Sequence, residues 1–200
     1  MAIPYIEFEN NNLMNGLILP GNSQSNKPWT VEIDQQLSCY FQETKIIEYE
    51  SWQSNDYGKV IDFPVELEKI KKAVANWDQY CVFAKSIGTA LCIKAVHDQI
   101  LSPQKCVFVG VPLNWLSTKN IPIKNWVSTY NIPTMVIQQR NDPFGNSNQV
   151  GEFLRGMPSI SKYIVVSGND HKYPQIDKIT SKSLNYFKNY NLLYLVSLIF

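Results

Sequence analysis

Three short stretches of this 200-residue chain are apolar runs of strand length: YCVFA (80–84), KCVFVGVPL (105–113) and PTMVIQQ (133–139). None alternates apolar with polar residues, as a half-exposed strand would. An unbroken apolar strand belongs in a sheet that is covered on both faces. Each run is followed by a segment of helical spacing or by a loop that leads to one. This rhythm is the strongest constraint on the fold, because strand–helix alternation calls for a mostly parallel sheet with helices on both sides.

The rest of the chain keeps the same rhythm. NGLILPGN (15–22) reads as a strand ending in Pro-Gly, and PWTVEIDQQLSCYF (28–41) as a helix with Pro28 in its first turn. KIIEYES (45–51) reads as a strand. DFPVELEKIKKAVANW (62–77) reads as a helix capped by Asp62, with an apolar stripe through Val65, Ile70, Val74 and Trp77. Helices are predicted at 87–101, 148–157 and 176–190, and a strand at 162–168. PYIEF near the N-terminus could add an edge strand. Residues 113–132 form the longest irregular stretch, and with Trp115, Trp126 and Tyr130 they could cover a cleft. Neither a repeat nor a composition shift marks a second domain, so residues 1–200 read as one domain.

Bulk properties exclude several function classes. A hydrophobic fraction of 44% fits a globular chain and not a disordered one. A net charge of +1 gives no electrostatic case for nucleic acid or an anionic membrane. Lys69, Lys71 and Lys72 read as a solvated helix face. The N-terminus lacks a signal-peptide pattern, no apolar run is long enough to span a bilayer, and a cytoplasmic location is expected. Cys39, Cys81, Cys92 and Cys106 show no metal-like spacing and read as buried reduced thiols. Neither a metal nor another cofactor is expected, and no glycine-rich phosphate loop is present. From Leu192 to the C-terminus only Ser197 is strongly polar, so the tail is expected to dock on the core or on a partner subunit; a homodimer is one possibility.

Ligands and reactive groups gather at the carboxyl ends of parallel strands. There the chain places Ser86 after 80–84, Asp142 after 133–139 and His171 after 162–168, in the order Ser, Asp, His. Taken singly, each has a structural explanation: Ser86 as a helix cap, Asp142 before Pro143 as a turn former, His171 as an exposed loop residue. Together they are three mutually useful groups. A serine hydroxyl needs a base, a histidine can be that base, and a carboxylate fixes the histidine's tautomer. His97, 11 residues beyond Ser86 in one predicted helix, would stand about 16 Å away. It reads as a structural histidine.

These residues make the chain resemble the α/β-hydrolase superfamily, in a small form with little or no lid. AKSIG (84–88) is similar to the nucleophile elbow, LPGNS (19–23) to the oxyanion-hole loop, PTMVIQQRNDPFG (133–145) to the acid strand and turn, and VSGNDHKY (166–173) to the histidine loop. The elbow departs from the family pattern at Ala84, where glycine is usual, and the oxyanion loop at Pro20, where many relatives carry histidine. The resemblance implies a Ser86–His171–Asp142 triad and oxyanion donors on the backbone N–H groups of Asn22 and Ile87. It implies a small acyl substrate, an ester or a thioester. Ser23 and Trp115 are candidate substrate contacts. Lys85 reads as a neighbouring surface charge, Asn26 as a helix N-cap, and Trp29, Trp52 and Trp126 as core. A binding or scaffolding protein of the same fold with little turnover is the alternative. A peptidase would need a terminus-recognition site that the sequence does not display.

Overall fold

The structure, a computed structural model, describes residues 14–56 and 61–188. Its six described strands are β1 (Asn15–Leu19), β2 (Thr44–Ile46), β3 (Tyr80–Lys85), β4 (Lys105–Val109), β5 (Thr134–Gln139) and β6 (Ile160–Val166). They form one sheet in the order β2-β1-β3-β4-β5-β6, and every neighbouring pair is parallel. The helices are α1 (Asn26–Leu37), α2 (Glu50–Ser54), α3 (Phe63–Val74), α4 (Ile87–His97), α5 (Leu113–Thr118), α6 (Ile123–Trp126), α7 (Ser147–Leu154) and α8 (Ile176–Lys188). This is the doubly covered α/β architecture that the apolar runs predict.

Side-chain alternation along each strand divides the core in two. Leu17, Leu19, Val82, Ala84, Cys106, Phe108 and Val136 face the layer of α3, α4 and α7. Ile18, Cys81, Phe83, Val107, Val109, Met135 and Ile137 face α1 and α8. Burial on both faces is what makes the central strands β1, β3, β4 and β5 mostly apolar at successive positions. It is also the main source of stability, at roughly 1.5–3 kcal/mol for each large side chain removed from water.

Some boundaries differ from those predicted, for identifiable reasons. The stretch 45–51 is not one strand. Pairing ends at Ile46 because Tyr49 turns inward, where its hydroxyl donates to the Pro20 carbonyl at 2.9 Å, and α2 starts directly after it. The predicted helix at 28–41 begins instead at Asn26 and stops at Leu37. The residue before it, Ser25, makes no side-chain cap, and Asn26 is not an N-cap but a buried residue of the first turn. Asp62 does cap α3, accepting from the Val65 N–H at 3.3 Å. Asn146 and Gln149 form a reciprocal capping box that starts α7 one residue earlier than predicted. The stretch 113–132 is not irregular: it holds α5, α6 and a short 3-10 helix at Val127–Thr129, and Ile123, Trp126 and Val127 are buried. Cys39 is exposed, against expectation, while Cys81, Cys92 and Cys106 are buried free thiols. The N-terminal PYIEF and the tail 191–200 lie outside the described residues. No helix among the described residues is long and apolar enough to cross a membrane.

Candidate active site

β3 delivers the chain to Ser86 in the middle of the sheet. Ser86 has φ 54° and ψ −124°, a left-handed conformation that costs a non-glycine residue roughly 1–3 kcal/mol. Two anchors hold it there. Its N–H donates to the Val109 carbonyl at 2.9 Å, and its carbonyl accepts from the Thr89 N–H at 2.9 Å and the Thr89 hydroxyl at 2.7 Å. The backbone is thus fixed between strand and helix while the side chain makes no capping bond to α4. The cap explanation for this serine therefore fails. α4 can leave at this angle because residue 88 is glycine: a Cβ there would lie 2.1 Å from the Leu19 carbonyl oxygen.

The Ser86 hydroxyl has another partner. His171 Nε2 lies 2.8 Å from Ser86 Oγ, and His171 Nδ1 lies 2.9 and 2.7 Å from the two carboxylate oxygens of Asp142. With its proton on Nδ1, donating to the carboxylate, the ring leaves Nε2 free to accept from the serine. Both residues are buried, Asp142 at 2% exposure and His171 at 9%. The imidazole and the ring of Phe144 meet edge to face, with centroids 4.6 Å apart. Gly110, with φ +67° at the end of β4, leaves room for the ring: a Cβ there would come within 3.1 Å of His171 Cε1.

Neighbouring groups fix both residues. Asp142 accepts from the Phe144 N–H at 2.9 Å, the Tyr173 hydroxyl at 2.7 Å and Gln138 Nε2 at 3.3 Å. The Tyr173 hydroxyl also accepts from the Gln139 N–H at 2.9 Å. Burial, and then the charge of Asp142, push the Tyr173 phenol well above its ordinary range, so it remains a donor. The histidine loop is held from β5. Gln139 Oε1 accepts from the N–H groups of Asp170 and His171, at 3.2 and 3.1 Å. Asp170 is exposed and bonds to Gln139 Nε2 and the Lys172 N–H. The carboxylate on the imidazole is that of Asp142.

On the other side of Ser86 the loop after β1 carries Asn22, half-buried, and Ser23, exposed; Ile87 is buried in the first turn of α4. Lys85 is not a surface charge. It is 3% exposed, donates through Nζ to Asn26 Oδ1 at 2.5 Å and lies over the rings of Trp29 and Tyr173 at 4.5 and 5.9 Å. Burial lowers its pKa to about 8, against the opposing pull of Asp142 and Asp170. Trp115 is half-buried on α5, against the α4-side core. His97 bonds through Nδ1 to the Thr129 hydroxyl at 2.8 Å, away from Ser86.

Sequence reasoning missed Lys85, Tyr173, Gln138, Gln139, Phe144 and Gly110. The strand period held a signal for the first: Cys81, Phe83 and Lys85 share one face, so a buried β3 puts Lys85 inside. Two consecutive glutamines closing an otherwise apolar β5 were a second signal.

A cavity of about 1050 Å³ lies between the α5–α6 segment and α7. Leu113, Ile121, Val127 and Phe153 give it apolar walls, with Asn114 and Gln149 among its polar lining. Ser86, Asp142 and His171 do not line it. Asn114 ties the cavity lining to the turn that carries Asp142: its N–H donates to the carbonyl of Phe144 at 2.8 Å and its Nδ2 to the carbonyl of Pro143 at 3.4 Å. Among the described residues no group of three or more His, Cys, Asp or Glu is arranged to hold a metal ion.

No family model and no curated protein matches the chain. Solved structures do. A hydrolase of the α/β superfamily from Xanthomonas campestris pv. campestris is 9% identical, with TM-score 0.69, over 88% of this chain and 98% of its own. An α/β serine hydrolase homologue from Coxiella burnetii is 16% identical, with TM-score 0.65, over 86% and 84%. An esterase from Pyrococcus furiosus is 12% identical, with TM-score 0.64, over 88% and 82%.

Proposed function

We propose, from the premise that this chain has the α/β-hydrolase fold, that it is a serine hydrolase cleaving a small carboxylic ester or thioester. The observation that carries the reading is the Ser86 hydroxyl. It stands on a strained turn, 2.8 Å from a histidine whose other nitrogen is held by a buried carboxylate. Hydrogen bonding among three isolated structural residues would not call for the strain.

In the proposed reaction His171 Nε2 takes the proton as Ser86 Oγ attacks the substrate carbonyl. The Asp142 carboxylate stabilises the imidazolium that forms. The N–H groups of Asn22 and Ile87 are the proposed donors to the tetrahedral oxyanion, a contribution of about 3–4 kcal/mol per donor. Collapse of the intermediate breaks the bond to the leaving alkoxide or thiolate, which takes the proton from Nε2. Water then repeats the sequence on the acyl-enzyme and releases the acid. Ser23 and Trp115, both on segments that follow strand carboxyl ends, are the proposed substrate contacts. The short α5–α6 segment favours a small substrate over a long-chain lipid.

The test is labelling with a fluorophosphonate probe, together with hydrolysis of p-nitrophenyl acetate, butyrate and octanoate. Wild type should label at Ser86 and turn over the short esters. Ser86→Ala should do neither, with a loss on the order of 10⁶ in kcat and no loss of melting temperature. Labelling of the alanine variant at the wild-type rate would defeat the proposal.

A further inference from the structure

We propose that Ser23 supplies a side-chain hydroxyl donor to the oxyanion, and that Lys85 and Asn26 are positioning residues that fix the direction of this donation. The proposal rests on the reading of Ser86 as nucleophile and adds a third donor to the two backbone N–H groups.

The argument follows from what each group can donate. A lysine ammonium has three N–H donors and no acceptor. The atom of Asn26 that faces Lys85 Nζ must therefore be Oδ1, as observed. The other end of the amide is then Nδ2, a donor, and it lies 2.6 Å from Ser23 Oγ. Ser23 Oγ must accept that bond, so its own proton is directed away from Asn26. In the resting protein the Ser25 hydroxyl, 3.1 Å away, can receive it. Ser25 is exposed and free to yield this position to a substrate oxygen. A chain of hydrogen bonds that begins on a cation polarises each later donor in the same sense.

The placement fits a role at the reacting carbonyl. β1 and β3 pair with Leu19 opposite Ala84, so the loop that starts at Pro20 lies level with Lys85 and Ser86. Its start also packs on the first turn of α4, where Gly88 meets the carbonyl oxygens of Leu19 and Pro20. Lys85 thus belongs to the elbow by its backbone and to the oxyanion loop by its ammonium. It reaches the histidine loop as well: Trp29, whose ring it overlies, donates through Nε1 to the Tyr173 carbonyl at 2.9 Å. A purely structural filler at this point on β3 would be apolar, like Cys81 and Phe83 below it, because burying a charge costs free energy unless it is paired and hydrogen-bonded. The lowered pKa of about 8 still leaves the side chain largely protonated at pH 7.

The experiment is a kinetic cycle on p-nitrophenyl acetate with wild type, Ser23→Ala, Lys85→Met and the double variant, beside probe labelling of wild type and Ser86→Ala. Ser23→Ala should lower kcat by about 10- to 100-fold, leave KM within about threefold and leave the melting temperature unchanged, since Ser23 is exposed. Lys85→Met should lower kcat similarly, and the double variant should be no worse than the more damaged single one. Ser23→Ala carries the test even if Lys85→Met folds poorly. Wild-type kcat in Ser23→Ala, or a double variant that loses the product of the two single effects, would overturn the donor assignment while labelling still upheld Ser86. A wild type that neither labels nor turns over would overturn the hydrolase reading itself, and this assignment with it.

Discussion

The two sides of Ser86 are built in opposite ways. On one side Asp142 and His171 are buried, and the carboxylate is fully occupied by the imidazole, the Tyr173 hydroxyl, the Phe144 N–H and Gln138. On the other side the loop from Gly21 to Ser25 is mostly exposed and hangs from the core through Asn26 on Lys85. A base that must move a proton by a fraction of an ångström, the role proposed for His171, is served by an over-determined frame. A loop proposed to receive substrate from solvent is served by a lighter frame: the bonds of Ser23 and Gln24 to the start of α1, and that of Asn26 to Lys85. The contrast shows which positions should tolerate change: few around Asp142, more around Ser23.

The largest break in this comparison should come at the acid. Asp142→Asn would reverse the tautomer preference of His171 and cost ~10⁴ in kcat at pH 7, measured by steady-state hydrolysis of a short aryl ester. Fold should survive, because Asn can still accept from the Phe144 N–H.

Lys85 sharpens the other side through pH. Its folded pKa of about 8 lies below the ordinary 10.5. Below pH 8 the protein carries the full penalty of a buried cation. Between pH 8 and 10.5 the folded state releases the proton that the unfolded state keeps, so stability rises. The groups facing the ammonium are Asn26 and Trp29 from α1, Tyr173 and Asp170 from the histidine loop, and Asp142 from the turn after β5. Urea unfolding at pH 7 and pH 10 should show wild type gaining up to about 3 kcal/mol relative to Lys85→Met. A constant difference between the two proteins would mean that the lysine does not titrate in this window.

Tyr173→Phe should have a smaller effect. It removes one donor from Asp142 and the acceptor of the Gln139 N–H, and should cost about 1–3 kcal/mol in urea unfolding. Asp170→Asn should do least, keeping kcat within about tenfold of wild type, the scale of one neutral hydrogen bond. A crippled Asp170→Asn beside a near-normal Asp142→Asn would invert the acid assignment.

The sequence displayed the buried strands because strands covered on both faces are apolar at most successive positions, and that pattern survives without tertiary information. Ser86 and Asp142 were legible because each follows a buried strand with a reactive residue type; His171 follows β6, a part-exposed edge strand, and was legible by residue type and chain order. Other features were decided by contacts between distant segments. KIIEYES has strand-like composition, yet the bond from Tyr49 to the Pro20 carbonyl ends the strand at Ile46. Asn26 stands where an N-cap would, but Lys85, 59 residues on, takes its side chain. Tyr173 lies two residues past the histidine, and only the folded loop shows that its hydroxyl reaches Asp142.

The twisted backbone at Ser86 bears on how such a chain would drift over generations. With φ at 54°, glycine would sit there without strain, and Ser86→Gly should leave the fold no less stable. A lineage that kept this domain only to hold a partner would have no reason to resist that replacement. Selection for stability alone would push the serine out. Its presence on a conformation that disfavours it, with a histidine nitrogen 2.8 Å from its oxygen, is a standing burden, and the reaction proposed at that oxygen is what would maintain it.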